Sequence, residues 1–318
     1  MLILEDLSAE VPDTNAFHWH LKDFSDDDGE NVLMYGYNSA TNENIHKKCS
    51  SYKRKAFFNN WSPCEFSQRE AHPGLDALEY DNKFDIVYSI CPFTNQWLNN
   101  KGLGREYRTM FYPFSEHLIP QECEKQYDVI YHGGIHGREH VDCLDAMMYY
   151  NYRYCTMTHH INELTARHVP YATNVNLQFQ EKIDLIAKTK ISICYNLVHI
   201  FPEHVGVIKS YDGWEKNAAF REVDKQRIKP QFKTRMHEAA ISKTLNLVHR
   251  DRWNVVEDYY EPDKEFIYFD DSIDLREKIH DIVNDWENYS GVVENAFEKA
   301  KKYTVKNFVN FIKDDIKK

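Results

Sequence analysis

The segment YDVIYHGGIHGREHVDCLDAMMYY, residues 127–150, holds the pattern on which the fold prediction rests. Its first part, Tyr127–His132, is a short apolar run typical of a buried strand, and the part from Arg138 onward has the apolar spacing of a helix. Three glycines lie in the turn between them: Gly133, Gly134 and Gly137. The sequence therefore predicts a strand, a tight turn and a helix, which is the beginning of a βα unit.

The same alternation extends in both directions along the chain. Five more strands are predicted before it, in MLILEDL (1–7), NVLMYGY (31–37), RKAFFNNW (54–61), FDIVYSIC (84–91) and RTMFYPF (108–114). Five follow it, in YRYCTMT (152–158), YATNVNL (171–177), KISICYN (190–196), TLNLVHR (244–250) and EFIYFD (265–270). Helical patterns separate many of these runs, so we expect an α/β fold with two successive doubly wound halves.

The domain boundaries follow from breaks in this rhythm. The polar stretch SEHLIPQECEKQ (115–126) predicts one domain over residues 1–118 and a second over 119–290. Segment 197–230 has no clean period and is interpreted as an insertion in the second domain, either a functional lid or a disordered stretch. Residues 291–318 carry an apolar stripe at helical spacing, and we expect this C-terminal helix to pack back on the N-terminal domain.

Composition limits the possible partners and compartments. The 318 residues include 21 Tyr and 18 Phe, enough large side chains for two folded cores, and the net charge of −11 gives no global attraction for nucleic acid or an anionic membrane. The seven cysteines form no CxxC pair, which favours reduced thiols and a cytoplasmic location. Neither a signal peptide nor a transmembrane segment is predicted.

The glycine turn carries the first candidate site. Histidines at 132, 136 and 140 are four apart and would share one face of a helix, as a zinc site requires. Three intervening glycines oppose that helix, each by roughly 1 kcal/mol relative to alanine. A βα turn with Arg138 at the helix start instead favours contact with a phosphate, while a packing turn and a metal site remain open. His136, at the centre of the loop, is a candidate catalytic residue that could touch a transferred group.

A second constellation lies in KTRMHEAAISKTLNLVHRDR, residues 233–252. Arg235 and Glu238 are three apart and share a helical face. The carboxylate could accept hydrogen bonds from a ribose diol while the arginine meets a diphosphate. A solvated surface pair is the alternative.

The longer segment that begins there is similar to a known family. KTRMHEAAISKTLNLVHRDRWNVVEDYYEPDKEFIYFDDSIDLREKIHDIVNDWENY, residues 233–289, resembles the C-terminal signature of group 1 glycosyltransferases, especially their spore-maturation-type branch. An arginine, a Glu-Ala helix start, a strand, an acidic stretch and a final helix follow in that branch's order. The resemblance implies a GT-B fold, in which two Rossmann-like domains face a cleft and the C-terminal one holds a nucleotide-sugar donor. It also implies a retaining, metal-independent reaction with no cofactor other than the donor.

The resemblance also implies roles for particular residues. Glu238 matches the family glutamate at the donor ribose, and Arg235 matches the basic residue near the diphosphate. Cations from Lys233, Arg235 and Arg138 would stabilise the leaving group. The turn 133–138 falls on the first loop of the donor domain, and two further positions fall on another donor-facing edge: Tyr195 and Asn196.

The chain departs from the family pattern at two places. Many members carry an earlier glutamate where this chain has Pro230, and Ile241-Ser242 replaces the usual Cys-Gly. The first contact is therefore missing or supplied by another group, and the match around the turn is weaker.

In the N-terminal half, NNWSPCEF (59–66) follows the apolar run KAFF, so Glu65 would lie at the carboxyl end of a strand. Glu65 is a candidate base or partner of the acceptor hydroxyl, and an exposed loop is the alternative. Cys64 and Cys91 are less favoured as nucleophiles, since no histidine partner can be assigned.

Together these patterns predict transfer of a sugar from a nucleoside diphosphate sugar to a hydroxyl of a carbohydrate or other acceptor. One alternative is a transferase that glycosylates bases in DNA, for which KKCSSYKRK (47–55) is the compact basic stretch; the acidic net charge disfavours nucleic acid. The other is a nucleotide-sugar-binding subunit without catalysis.

Overall fold

The computed structural model describes residues 1–5, 21–35, 43–59, 83–90, 92–100, 102, 104–135, 138–158, 161, 163, 165–199 and 228–318. The chain divides into two compact units. The first comprises Met1–Ser115, Leu197–Gln231 and Tyr303–Lys318, and the second comprises Glu116–Asn196 and Phe232–Lys302.

The first unit contains a five-stranded parallel sheet. Its strands are β1 (Leu2–Glu5), β2 (Asn31–Tyr35), β3 (Arg54–Asn59), β4 (Ile86–Ser89) and β5 (Glu106–Thr109). All five residues of β2 are buried, as expected for a parallel strand covered on both faces. The five predicted strands are confirmed, although β5 lies earlier than expected and shares only residues 108 and 109 with the predicted run 108–114.

The order of the described strands in this sheet is β1-β2-β3-β4-β5, the order of the chain. A doubly wound half would instead place its first strand in the interior and reverse direction there. The expected doubly wound order is therefore not seen in the described strands of the first unit.

The second unit contains a six-stranded parallel sheet. Its strands are β6 (Tyr127–His132), β7 (Tyr152–Thr156), β8 (Thr173–Val175), β9 (Thr189–Cys194), β12 (Leu245–His249) and β13 (Ile267–Phe269). The order β13-β12-β9-β6-β7-β8 is the doubly wound order that the sequence predicts, with β6 first and β9 fourth along the chain. The winding direction reverses between β6 and β9.

Helices connect these strands. In chain order they are α1 (Glu43–Lys48), α2 (Pro92–Asn100), α3 (Arg138–Met147), α4 (Val169–Ala172), α5 (Phe179–Ala187), α6 (Arg235–Ile241), α7 (Ser272–Asn284), α8 (Ser290–Ala300) and α9 (Val305–Asp315). Helix α3 packs on α7, and α6 packs on α5 and α8. Across the described ranges, none of these helices combines the length and the apolar character needed to cross a bilayer.

The segment 197–230 begins and ends with two short strands, β10 (Leu197–His199) and β11 (Ile228–Pro230). They pair antiparallel with each other and group with the first unit, whereas the sequence predicts the segment as an insertion in the second domain. Residues 200–227 lie outside the described ranges.

Residues 291–318 are predicted as one helix that packs on the N-terminal domain, but they form two helices with a short 3-10 turn between them. Helix α8 belongs to the second unit, and only the part from Tyr303 to Lys318, with α9, groups with the first unit. The break falls at Thr304, whose extended backbone begins α9 and whose Oγ1 accepts a hydrogen bond from the Asn307 N–H at 3.4 Å. Phe308 then packs edge-on against Phe58 of β3, with ring centres 4.7 Å apart.

Candidate active site

The point where the second sheet reverses its winding direction lies between β6 and β9. Strand β6 ends at His132 and is followed by Gly133, and β9 ends at Cys194 and is followed by Tyr195 and Asn196. Because all six strands are parallel, their C-terminal ends meet at one edge, which we name the carboxyl edge of the second sheet. Ligands of doubly wound sheets bind at such an edge, in the crevice at the reversal point.

An arginine packs directly on the glycine turn at this edge. Gly133 has a φ of +128°, a conformation that favours glycine, and a Cβ added there would collide with the guanidinium of Arg235, whose Cζ would lie 3.0 Å away. The Arg235 Cζ also lies 5.1 Å from the ring centre of Tyr131. The glycine therefore makes room for a positive charge at the end of β6.

Part of the Arg235 guanidinium has no hydrogen-bond partner among the described residues. Arg235 Nη1 is buried and makes no hydrogen bond within the described part of the chain. Burial opposes the charge, yet the neighbouring Tyr131, Cys194 and Glu238 keep the pKa of Arg235 above its ordinary value. A permanently charged donor is thus held at the reversal point with unused hydrogen-bonding capacity.

Glu238, one turn further along α6, is buried and ion-paired. Lys182 Nζ from α5 lies 2.8 Å from Oε1, and His132 Nδ1 lies 3.0 Å from Oε2. Burial alone would raise the pKa of this carboxyl, but the Lys182 ammonium and the His132 ring lower it well below its ordinary range. Glu238 is therefore ionised at neutral pH.

His132 continues this network into the sheet. Its Nε2 lies 3.0 Å from Ser192 Oγ on β9, and burial lowers the pKa of the imidazole despite the Glu238 charge. A neutral ring satisfies both contacts if Nδ1–H donates to Glu238 and the Ser192 hydroxyl donates to Nε2. Glu238, His132 and Ser192 thus form a continuous series of close polar contacts, in which Glu238 Oε2 has no hydrogen bond of good geometry within the described residues.

The order serine, histidine, carboxylate is that of a hydrolase triad, and burial argues against this interpretation. A nucleophilic hydroxyl must reach a substrate carbonyl. Ser192 has 0% of its surface exposed and lies inside β9, opposite Ile130 of β6. We therefore interpret the series as buried support for Glu238.

Asn196 and Lys233 connect the end of β9 to the start of α6. Asn196 Oδ1 accepts a hydrogen bond from the Lys233 backbone N–H at 2.9 Å. Asn196 is 1% exposed, and its Nδ2 has no hydrogen-bond partner among the described residues. The structure therefore brings Asn196, Lys233, Arg235, Glu238 and Gly133 together at one edge, as the sequence analysis expects of a donor site.

Tyr195 and Arg138 have other surroundings, whereas Gly134 stays beside Gly133 at the edge. The Tyr195 ring stacks on His249 with centres 4.3 Å apart and meets His140 edge-on at 4.8 Å, inside the core. Arg138 is exposed and pairs with Asp142 one turn away at 2.9 Å. Gly134 accepts a hydrogen bond from the Tyr131 hydroxyl through its carbonyl at 3.3 Å.

The remaining predicted residues are Glu65, His136 and Gly137, and all three lie outside the described residues, as do Cys64 and Cys91. Among the histidines at 132, 136 and 140, His132 contacts Glu238 and Ser192, while His140 packs on Tyr195. These two histidines therefore have different partners. Two thiols lie near the site, and burial raises the pKa of Cys155 to about 11 and that of Cys194 to about 12. Both are protonated at neutral pH.

Sequence reasoning missed Lys182, Ser192 and the contact that His132 makes with Glu238. His132 and Ser192 are 60 residues apart and meet only because β6 and β9 are neighbours. Lys182 stands three positions after Phe179 in an ordinary amphipathic helix, and nothing in that local pattern marks it. The strand order of the doubly wound sheet is the one signal that would have suggested the first pair.

Comparisons with known proteins agree with this architecture. No protein-family model matches the chain, and no curated protein matches its sequence. Among solved structures, Anabaena HepE in complex with UDP-glucose has a TM-score of 0.59 at 13% identity, covering 91% of this chain and 78% of HepE. Sucrose-phosphate synthase from Thermosynechococcus elongatus has a TM-score of 0.57 at 10% identity, covering 94% and 75%.

TarM, also solved from S. aureus in a complex with UDP, has a TM-score of 0.58 at 12% identity, covering 91% of this chain. The chain spans 55% of the length of TarM. All three are GT-B glycosyltransferases. With its two parallel sheets of five and six strands and their helices, the chain has the α/β fold of GT-B glycosyltransferases.

Proposed function

We propose that the chain is a glycosyltransferase that binds a nucleoside diphosphate sugar at the carboxyl edge of the second sheet and transfers the sugar to an acceptor hydroxyl. The observation that carries this proposal is Arg235, a cation seated on a glycine that makes room for it, with a buried donor that nothing in the described chain uses. Arginine suits phosphate oxygens because its planar guanidinium can donate two parallel hydrogen bonds. The bound UDP in similar folds supports a nucleoside diphosphate as the ligand.

The chemistry of the transfer fits this arrangement. Breaking the bond between the sugar and the diphosphate leaves additional negative charge on the leaving group, and a preorganised cation stabilises that charge in the transition state. Arg235 and Lys233 would supply it from the protein, in keeping with a metal-independent reaction. A retaining course is the part of the proposal that rests on the family resemblance alone.

Glu238 is proposed to bind the donor ribose. Lys182 donates to Oε1, whereas Oε2 lies 3.0 Å from His132 Nδ1 and accepts no hydrogen bond within the described residues; a carboxylate oxygen can accept more than one hydrogen bond. A ribose diol at the edge would use the acceptor capacity that remains. We assign the acceptor side to residues 1–118, with Glu65 as the partner of the acceptor hydroxyl and His136 as a residue that meets the transferred sugar.

The proposal is tested by ligand-induced stabilisation. A ligand that binds only the folded chain raises its stability by RT ln(1 + [L]/Kd), so a nucleoside diphosphate at 100 times its Kd should add about 2.7 kcal/mol. UDP, GDP, ADP and CDP would be screened by thermal melting, followed by UDP-glucose with detection of released glucose. The absence of a shift with every nucleotide would refute the donor site.

Arg153 offers a matched control for the arginine. Its Cζ lies 3.9 Å from the ring centre of Tyr127, near the start of β7 and thus at the opposite edge of the same sheet. We expect Arg235→Gln to abolish the nucleotide shift and Arg153→Gln to retain it. Binding without donor hydrolysis or transfer to any acceptor would instead favour a nucleotide-sugar-binding subunit.

A further inference from the structure

We propose that Lys182 is a positioning residue of the donor site, which fixes the Glu238 carboxylate for the ribose without touching the donor. The inference rests on the proposed function. Lys182 belongs to α5, a different element from the helix that carries Arg235 and Glu238. Its ammonium lies 2.8 Å from Glu238 Oε1, and both side chains are largely buried.

Lys182 is itself held in place. Its Nζ lies 4.4 Å from the ring centre of Phe179, a buried residue one turn earlier in α5. Helix α5 begins with a capping box, in which the Gln178 side chain and the Glu181 side chain each accept from the other's backbone N–H. The ammonium therefore projects from a helix turn whose start is fixed by hydrogen bonds.

The second oxygen of Glu238 is fixed from the sheet. His132 Nδ1 lies 3.0 Å from Oε2, and Ser192 holds the far side of the same ring at 3.0 Å. The two oxygens are thus contacted from different elements: Lys182 of α5 contacts Oε1, and His132 at the end of β6 contacts Oε2. Contacts at both oxygens restrict the orientation of the carboxylate before any ligand arrives, and preorganisation of this kind increases affinity because less freedom is lost on binding.

Three possible roles of Lys182 differ in how its loss would affect donor affinity. A residue that touches the donor phosphates would contribute to binding whether or not position 238 carries a charge. A residue that serves only folding would change stability and leave the affinity of the folded protein unchanged. A positioning residue acts through Glu238, so its effect on affinity must disappear when the carboxylate is removed.

The experiment is a double-mutant cycle on UDP affinity, measured by isothermal titration with Lys182→Met, Glu238→Gln and the double variant. If UDP does not stabilise the wild type, GDP, ADP or CDP replaces it according to the thermal screen. We expect each single variant to weaken binding by about tenfold and the double variant to bind no more weakly than Glu238→Gln, because contacting residues that act as one unit are not additive. Lys182→Arg, which keeps the charge, should restore most of the affinity.

Lys190 provides the matched control. It is a similarly buried lysine, 3.6 Å from Asp128 at the opposite edge of the same sheet, so Lys190→Met should leave UDP affinity unchanged. Lys182→Gln, which keeps a neutral donor, replaces Lys182→Met if that variant does not fold. Additive losses in the cycle, or wild-type affinity in folded Lys182→Met, would overturn the inference while leaving the donor site intact. Failure of the wild type to bind any nucleotide would instead refute the proposed function.

Discussion

At the scale of single residues, Gly133 determines the position of Arg235, the cation proposed to bind the diphosphate. A side chain at this position would meet the Arg235 guanidinium and would also have to adopt a φ of +128°. We expect Gly133→Ala to displace Arg235 and to weaken nucleotide binding by at least about tenfold, with a stability loss of about 1 to 3 kcal/mol from the backbone strain. Thermal melting with and without UDP measures both effects.

Gly29 serves as the control for this change. It also has a positive φ, of +69°, but a Cβ there meets nothing within 4 Å. Gly29→Ala should therefore lower stability through backbone strain, while the rise in melting temperature caused by UDP stays the same as in the wild type. An unchanged UDP shift in Gly133→Ala would contradict the placement of the diphosphate beside Arg235.

A second prediction at this scale concerns acid stability. His237 is fully buried, with Nδ1 2.7 Å from the Tyr260 hydroxyl, and burial lowers its pKa to about 3. Because the folded pKa lies below the unfolded value of about 6.5, protonation favours the unfolded chain, and stability is lost as pH falls from about 6.5 toward 3. This one group should remove about 2 kcal/mol between pH 7 and pH 5.

Urea unfolding at these two pH values measures the loss, and His132 adds to it in the same direction because its pKa is also lowered. We expect His237→Gln to be less stable at pH 7 but to lose less on acidification. The exposed His280→Gln is the control and should follow the wild type. Identical pH dependence in His237→Gln and the wild type would show that His237 does not titrate in this way.

At the residue scale, the sequence predicted only pairs of residues that lie close together in the chain. A spacing of three places Arg235 and Glu238 on one helical face, and the family resemblance of residues 233–289 marked the pair as donor residues; the structure puts them at the same sheet edge. Lys182 and Ser192 were missed because their contacts depend on tertiary neighbours that lie 56 and 60 residues away in the chain. A buried network of this kind has no periodicity to detect.

At the scale of elements, each of the eleven strands described in the two parallel sheets overlaps a predicted apolar run, since most parallel strands are buried on both faces. Strand β5 is the poorest match, because Glu106 and Arg108 interrupt its apolar character. The order of the strands within a sheet was harder to predict, because it depends on how the connections between strands pack and not on the sequence of any single apolar run. The tail shows the same limit. Its apolar stripe predicts helix correctly, but the break at Thr304 comes from one extended residue and its cap.

The tail also allows a prediction about how α9 is held. Phe308 is fully buried against Phe58 and Phe111, whereas Phe311, on the same helix, is 47% exposed. Phe308→Ala should cost about 3 to 5 kcal/mol, because it removes a buried ring and leaves a cavity. Phe311→Ala should change stability by less than about 0.5 kcal/mol, as expected for an exposed position. Chemical denaturation of both variants measures the difference, and equal losses would contradict the packing of this helix.

At the scale of the whole molecule, the two edges of the second sheet differ in what they offer a ligand. At the edge where its strands begin, Lys125 Nζ donates to the carbonyls of Ala187 and Lys243, each at 2.7 Å. The carboxyl edge keeps unused donors on Arg235 and Asn196 among the described residues. A doubly wound sheet therefore directs binding to one edge, and the sequence predicts which edge as soon as its strands are known to be parallel.

This polarity leads to a prediction for hydrogen exchange. Saturating UDP, or the nucleoside diphosphate that stabilises the chain most, should slow amide exchange where the strands end, in peptides covering 131–135, 194–196 and 232–238. Peptides covering 124–128 and 241–245, at the opposite edge beside Lys125, should exchange at an unchanged rate, because binding raises the opening free energy chiefly of the segments that close on the ligand. Protection confined to 83–90 and 104–115 would place the nucleotide on the first unit. Protection at the Lys125 edge would refute the assignment of the donor to the carboxyl edge.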